Sequence, residues 1–275
     1  MLMLDRAREL VERRSILRLL VVRDLKVRYS SSALGYVWTI LDPLMMALVY
    51  WFVFGFIFQG HRKGLDPYIL FLVVGVLTWQ WFNGGVMDTT RALQQESKLV
   101  RSTNLPREIW VLKIVFAKGV EFLLSIPVIV LFMVRYGVPP RWDIVWALPA
   151  AMLLQTVLIT GVGLALAAVT VLVTDMQRVV RILLRVAFYV TPIVYSVDAL
   201  NQHPALKYVM ALNPMTGIVD LYRRCVDLRT PSGASAFDGT AGWHVPAISA
   251  VVTVAVFVLG SALFRRLEPA VLKEL

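Results

Sequence analysis

A chain of 275 residues that is 58% hydrophobic, with a mean hydropathy of +0.70, is more apolar than a soluble domain, whose apolar share is about 45–50%. Its formal charge of +10 is scattered between apolar runs instead of forming one patch, which argues against a nucleic-acid partner and for the Lys and Arg excess of cytoplasmic loops. A single cysteine, Cys225, excludes an intrachain disulfide.

Residues 1–32 begin MLMLDRARELVERR, with no apolar core and no small-residue cleavage site, so no cleaved signal peptide is expected there. Leu10, Leu17, Val21 and Leu25 fall near one helical face, shared with Arg14 and Arg28. An interfacial helix lying on anionic lipid is the expectation.

Six apolar runs follow, at 33–58, 68–87, 109–134, 144–173, 179–197 and 245–264, and a spanning helix needs about 20 such residues. The sequence therefore predicts an all-α membrane domain of six spans over 33–264, then a short tail, 265–275. The first run is interrupted by Asp42 and Pro43. If it starts near Leu34, Asp42 lies about 12 Å along the axis, at a depth where a carboxylate is costly. The third run carries Lys113, Lys118 and Glu121, and the spacing of the last two permits a pair on one face. The fifth is the weakest, because Arg181 and Arg185 leave few uninterrupted apolar residues. Between the fifth and sixth, Ala205–Leu212 and Met215–Leu221 are split by Asn213-Pro214; each is too short to cross, and together they read as two re-entrant helices in the region 203–224.

Placing both termini on one side gives that side 19 Lys and Arg against 8 on the other, so both termini are expected in the cytoplasm. His61, His203 and His244 are scattered, and no metal site is expected. No P-loop signature occurs, so any ATP and Mg2+ would be bound by another chain.

Aromatic residues are plentiful. At roughly 100° per residue, Tyr36, Pro43, Ala47, Tyr50, Phe54 and Phe58 share one face of the first run, while Trp38, Met45, Phe52 and Phe56 fall opposite. In the fifth run Phe188, Pro192 and Tyr195 align likewise. Such faces either meet lipid or line a path on which sugar rings stack.

Several stretches taken together resemble one family. DLKVRYSSSALGYVWTILDPLMMALVYWFVFGFIF (24–58), NLPREIWVLKIVF (104–116), the Thr174-Asp175 turn with MQRVVRILLRVAFYVTPIVYSVDAL (176–200), and ALNPMTGIVDLYR (211–223) resemble, in order, ABC-2-type permeases that export polysaccharides such as O-antigen, teichoic acid, capsule or galactan. Asp42 departs from that pattern, where Asn is more usual, so no role is carried over to it. The resemblance implies a homodimer paired with two copies of a separate ABC ATPase in the bacterial cytoplasmic (inner) membrane. It implies a path for lipid-linked polysaccharide lined by aromatic side chains, for which Tyr36, Tyr50, Phe54, Phe58, Phe188 and Tyr195 are the candidates. It places the cytoplasmic coupling helix in 91–106, with Gln94, Gln95, Glu96, Lys98 and Arg101 facing the ATPase. Arg23, Lys26 and Arg28 are candidates for a pyrophosphate or lipid headgroup, with membrane anchoring as the plainer alternative. Arg outnumbers Lys 21 to 7, pointing to a GC-rich genome and, with the resemblance, to a lipid-linked galactan of a mycobacterial-type wall as one expected cargo. Two other readings remain: an ABC-2 permease for drugs or small lipids, and a membrane-embedded glycosyl or lipid-phosphate transferase using Asp198, Asp220, Asp227, Asp238 and His244.

Overall fold

The computed structural model describes residues 9–10, 12–30, 35–57, 67–195, 209–228 and 244–275, without the side chains of 29, 36, 39, 50, 54, 55 and 57. Helix α1 is Arg14–Ser30. The chain re-enters helix at the 3-10 turn Gly35–Val37, where Gly35 takes φ +47°, a left-handed conformation that favours a residue without Cβ. Helix α2, Trp38–Tyr50, contains Pro43 and runs on as a wider π-helical segment, Trp51–Ile57. The α-helix proper begins at Trp38, inside the apolar run 33–58, and its middle, Ile40–Val53, reads as a short apolar helix.

Among the described residues, four helices are long and apolar enough to cross a membrane: α3 (Tyr68–Thr89), α6 (Glu108–Tyr136), α7 (Ile144–Leu172) and α10 (His244–Glu274). They coincide with the second, third, fourth and sixth runs of the sequence. Between α3 and α6 lie two short helices, α4 (Ala92–Gln95) and α5 (Ser97–Ser102). Helix α8 is Met176–Val190, only 15 residues long, because Thr191 turns to an extended conformation (ψ 135°) ahead of Pro192. Helix α9, Pro214–Arg224, starts at Asn213, whose side-chain oxygen accepts from the Met215 N–H at 3.1 Å, with proline at the first helical position. The first of the two short stretches, 205–212, lies mostly outside the described residues. Helix α10 continues unbroken through Arg265 and Arg266 to Glu274, so the expected tail is helical.

Helix α3 is the centre of the molecule. It touches α2, α6, α7, α8 and α9, and 78% of its most apolar window is buried, which suits a sequence apolar on every side. Lipid tails are as apolar as leucine, so helices in a bilayer are held by close packing and not by escape from water. Small residues permit that packing. A Cβ added to Gly161 of α7 would lie 2.5 Å from Phe257 Cα on α10, and one on Gly260 would run into the Gly161 carbonyl. On α9, the Gly217 N–H donates to Ser249 Oγ of α10 at 3.0 Å. Helix α6 ends in a Schellman-type turn: Gly137 has φ +65°, and the Val138 N–H reaches the Met133 carbonyl at 2.9 Å.

Replacing Gly161 or Gly260 by leucine forces backbone apart, not merely side chains. Each substitution should lower stability by at least the about 1–3 kcal/mol of ordinary overpacking. The readout is the thermal midpoint of the detergent-solubilised protein, with Gly119→Ala, whose added Cβ would meet only Trp81 at 3.4 Å, as the near-neutral control.

Candidate functional site

The end of the bundle that carries α1, α4 and α5 is rich in charge, and three polar networks organise it. The first involves Lys113 on α6, whose side chain is 4% exposed. A buried ammonium without partners is strongly destabilising. Here its Nζ lies 2.7 Å from Glu96 Oε1 and 3.0 Å from Asp24 Oδ1, and Arg23 also donates to Glu96. Glu96 stands between α4 and α5, so this cluster ties α1 to both the connection and α6. Burial alone pushes the Glu96 carboxyl up, but Lys113 and then Arg23 outweigh it and hold its pKa below the ordinary 4.5.

The second network lies on the other side of the connection. Arg91 Nε donates to Gln177 Oε1 at 2.8 Å, Gln177 Nε2 to Gln94 Oε1 at 3.3 Å, and Gln94 Nε2 to the Thr170 carbonyl at 3.1 Å. These bonds fasten the connection to the end of α7 and the first turn of α8. Segment 91–106 is therefore gripped from both flanks.

The third network borders a cavity of about 380 Å3 between α2, α3 and α6. Lys118 Nζ meets Glu121 Oε2 at 2.9 Å, as their spacing predicts, and Asp88 Oδ2 at 3.3 Å. Arg28 closes the ring, 3.0 Å from Asp88 and 3.1 Å from Glu121. The quartet is electrically balanced, and so is the cavity lining, where Arg28 and Lys118 face Glu121 and Asp42. Gln80, Asn83 and Ser125 supply neutral polar groups, and Trp38, Trp81 and Phe122 supply rings. Trp81 stacks on Phe122 with centroids 4.8 Å apart, and its indole N–H has no hydrogen-bond partner among the described residues. Polar groups set among aromatic faces suit a hydroxyl-rich ligand with apolar C–H faces.

A protein-family model described as ABC-2 type transporter matches residues 16–225. The chain belongs to that family. Among curated relatives, the O-antigen export system permease protein RfbA of Myxococcus xanthus is 31% identical over 221 residues, 80% of this chain and 84% of its own length. RfbA of Klebsiella pneumoniae is 29% identical over 90% of this chain and 89% of its own. The polysialic acid transport protein KpsM of Escherichia coli is 24% identical over 92% and 93%.

In this ABC-2 chain the residues singled out from sequence have separate fates. Gln94 and Glu96 are drawn into the gripping networks, whereas Gln95, Lys98 and Arg101 face outward. Arg23 and Arg28 are held by carboxylates, and Lys26 is exposed. Phe188 is buried within the chain, its ring edge-on to Trp79 at 5.7 Å. The Tyr195 hydroxyl donates to the carbonyls of Tyr189 and Val190 at 3.1 and 3.0 Å, closing the end of α8. The side chains of Tyr36, Tyr50 and Phe54, and Phe58 altogether, lie outside the described residues. Sequence reasoning missed Asp24, Asp88 and Gln177, because Lys113, Arg28 and Arg91, which they meet, are 60 or more residues away and even Lys118, the other partner of Asp88, is 30 away.

A carboxyl held below its ordinary pKa stabilises contacts that are complete above that ordinary value and are lost as pH falls through the lowered one. The grip of α1 on the connection should thus be unchanged from pH 8 to 6 and loosen only in acid below the usual carboxylate range. Glu96→Gln should loosen it at every pH. Distances between spin labels at Val27 and Lys98, both exposed, measure this.

Proposed function

We propose that this chain is the membrane permease of an ATP-driven exporter that carries a lipid-linked polysaccharide across the bacterial cytoplasmic membrane. The observation that carries the reading is likeness over some nine-tenths of the chain to permeases named for O-antigen export and for polysialic acid transport. The cavity beside Asp42, with rings and hydroxyl-binding groups at one end of the bundle, is compatible with a sugar residue entering from that side.

The working unit under this reading is a homodimer joined to two ATPase copies, with α2 and α8 completing six crossings and both termini in the cytoplasm. The charged end of the bundle is then the cytoplasmic one. Closure of the ATPases on ATP presses on the outward residues Gln95, Lys98 and Arg101. The Glu96 and Gln94 networks pass that displacement to α1 and α6 on one flank and to α7 and α8 on the other. Two-state motion requires such differential contacts. A lipid-linked galactan is the cargo this reading favours, from the arginine-rich composition together with the resemblance.

Deleting the chain from its host should leave lipid-linked glycan on the cytoplasmic side, and the purified complex should hydrolyse ATP faster when given that glycan lipid. Stimulation by hydrophobic drugs alone would refute the cargo. Trp38→Ala and Trp81→Ala should each reduce glycan export several-fold while the ATPase still co-purifies, as measured by surface glycan and by pull-down.

A further inference from the structure

Helix α8 holds two charges that its own protomer leaves unmatched. Val180, Leu184 and Phe188 form its buried stripe, and Arg178, Arg181 and Arg185 lie within about 60° of one another on a neighbouring, exposed strip. Arg178 has Asp175 at 3.6 Å. Arg181 and Arg185 have neither an ion pair nor a hydrogen-bond partner among the described residues.

Their depth makes this significant. Phe188 packs on Trp79, which is the twelfth of the 22 residues of α3 and so marks the middle of that span. Arg185 lies about 4.5 Å and Arg181 about 10 Å from that level along the axis, both inside a hydrocarbon half-thickness of about 15 Å. Cations at such depth are retained where an anion or water meets them.

The anion has few available sources. Of the described side-chain carboxylates, all but Asp42 and Glu274 are already engaged with other groups, and in a second copy the same side chains are engaged in the same way. The phosphate of a resident phospholipid stays at the bilayer surface, well away from the level of Arg185. A phosphate reaches that level when it is carried inward.

We propose that Arg181 and Arg185 bind the phosphate group through which a lipid-carried glycan is attached, during its passage through the membrane. The proposal rests on the export reading above and adds the group recognised and the helix that recognises it. Arginine suits the task, since its planar fork pairs with phosphate oxygens two at a time. Gln177, in the first turn of the same helix, is bonded to Arg91 and Gln94, so displacement of the 91–106 segment moves the arginines. Arg23 and Arg28, by contrast, already hold carboxylates.

The test uses the full-length chain in phosphatidylcholine nanodiscs, titrated with a sugar-free polyprenyl pyrophosphate. The double variant R181Q/R185Q should bind the probe at least roughly tenfold more weakly, the size expected for losing one charge-assisted contact. R181K/R185K should retain most of the affinity, R178Q should bind normally, and excess phosphatidylglycerol should not displace the probe. R185Q alone repeats the measurement with a single change, and monodisperse elution of each variant establishes folding. Unchanged binding by the double variant overturns the proposal. So does displacement by phosphatidylglycerol, which would mean that the arginines reach to the bilayer surface. So does an equal loss in R178Q, which would reduce the effect to net charge, or restoration of an R185D dimer by D42R, which would assign the arginines to a second copy. Because the probe has no sugar and no ATPase is present, the two readings fail separately. Arginine-dependent binding by a chain that exports no glycan sinks the export reading alone, and glycan export with arginine-independent binding sinks this one alone.

Discussion

Lys113 is almost wholly withdrawn from its surroundings, and its ammonium has the carboxylates of Glu96 and Asp24 within 3.0 Å. Much of the molecule's arrangement depends on that requirement for compensation. Removing either carboxylate leaves a buried cation short of a partner, and breaking such pairs costs about 3–5 kcal/mol where burial is complete. Because the two carboxylates come from α1 and from the connection between α4 and α5, satisfying one charge fixes the positions of three separate pieces of chain. The quartet of Arg28, Asp88, Lys118 and Glu121 repeats the device one level further into the bundle.

The two sides of the bundle are held by different forces. On the side of α7, α9 and α10, glycines bring backbones into contact, and nothing can slide without a collision. Between α2, α3 and α6 there is a cavity, and contact is made largely through long charged side chains. Ion pairs of this kind can exchange partners with little change in backbone, whereas interlocked helices move as a body. A rigid block facing a polar, adjustable wall is an arrangement suited to opening and closing.

What the sequence makes legible follows from these forces. The four long helices could be read because apolar run length alone decides them. Helix α2 was harder: Pro43 and the widened turn through Trp51–Ile57 interrupt its regularity, and a hydropathy run records neither. The early end of α8 was written in Thr191-Pro192, a local signal outweighed in the reading by the apolar residues beyond it. The Lys118–Glu121 pair was visible because its members are three residues apart, while Arg28 and Asp88 meet them only through tertiary packing. The grip on Gln94 was likewise invisible, since a glutamine amide carries no periodic signature and its acceptor is the Thr170 backbone carbonyl.

Helix α10 has 31 residues and is about 46 Å long, against a hydrocarbon layer of about 30 Å. Arg265 and Arg266 end its apolar stretch, and Glu268 beyond them lies 3.7 Å from Arg107 at the foot of α6. The last ten helical residues run on for about 15 Å beyond the apolar stretch and stay packed on the bundle, with Val271 buried. In the exporter proposed above, a soluble subunit docked at this end of the bundle would have to be notched to receive that extension or be held off by it, like a floor raised on a pier.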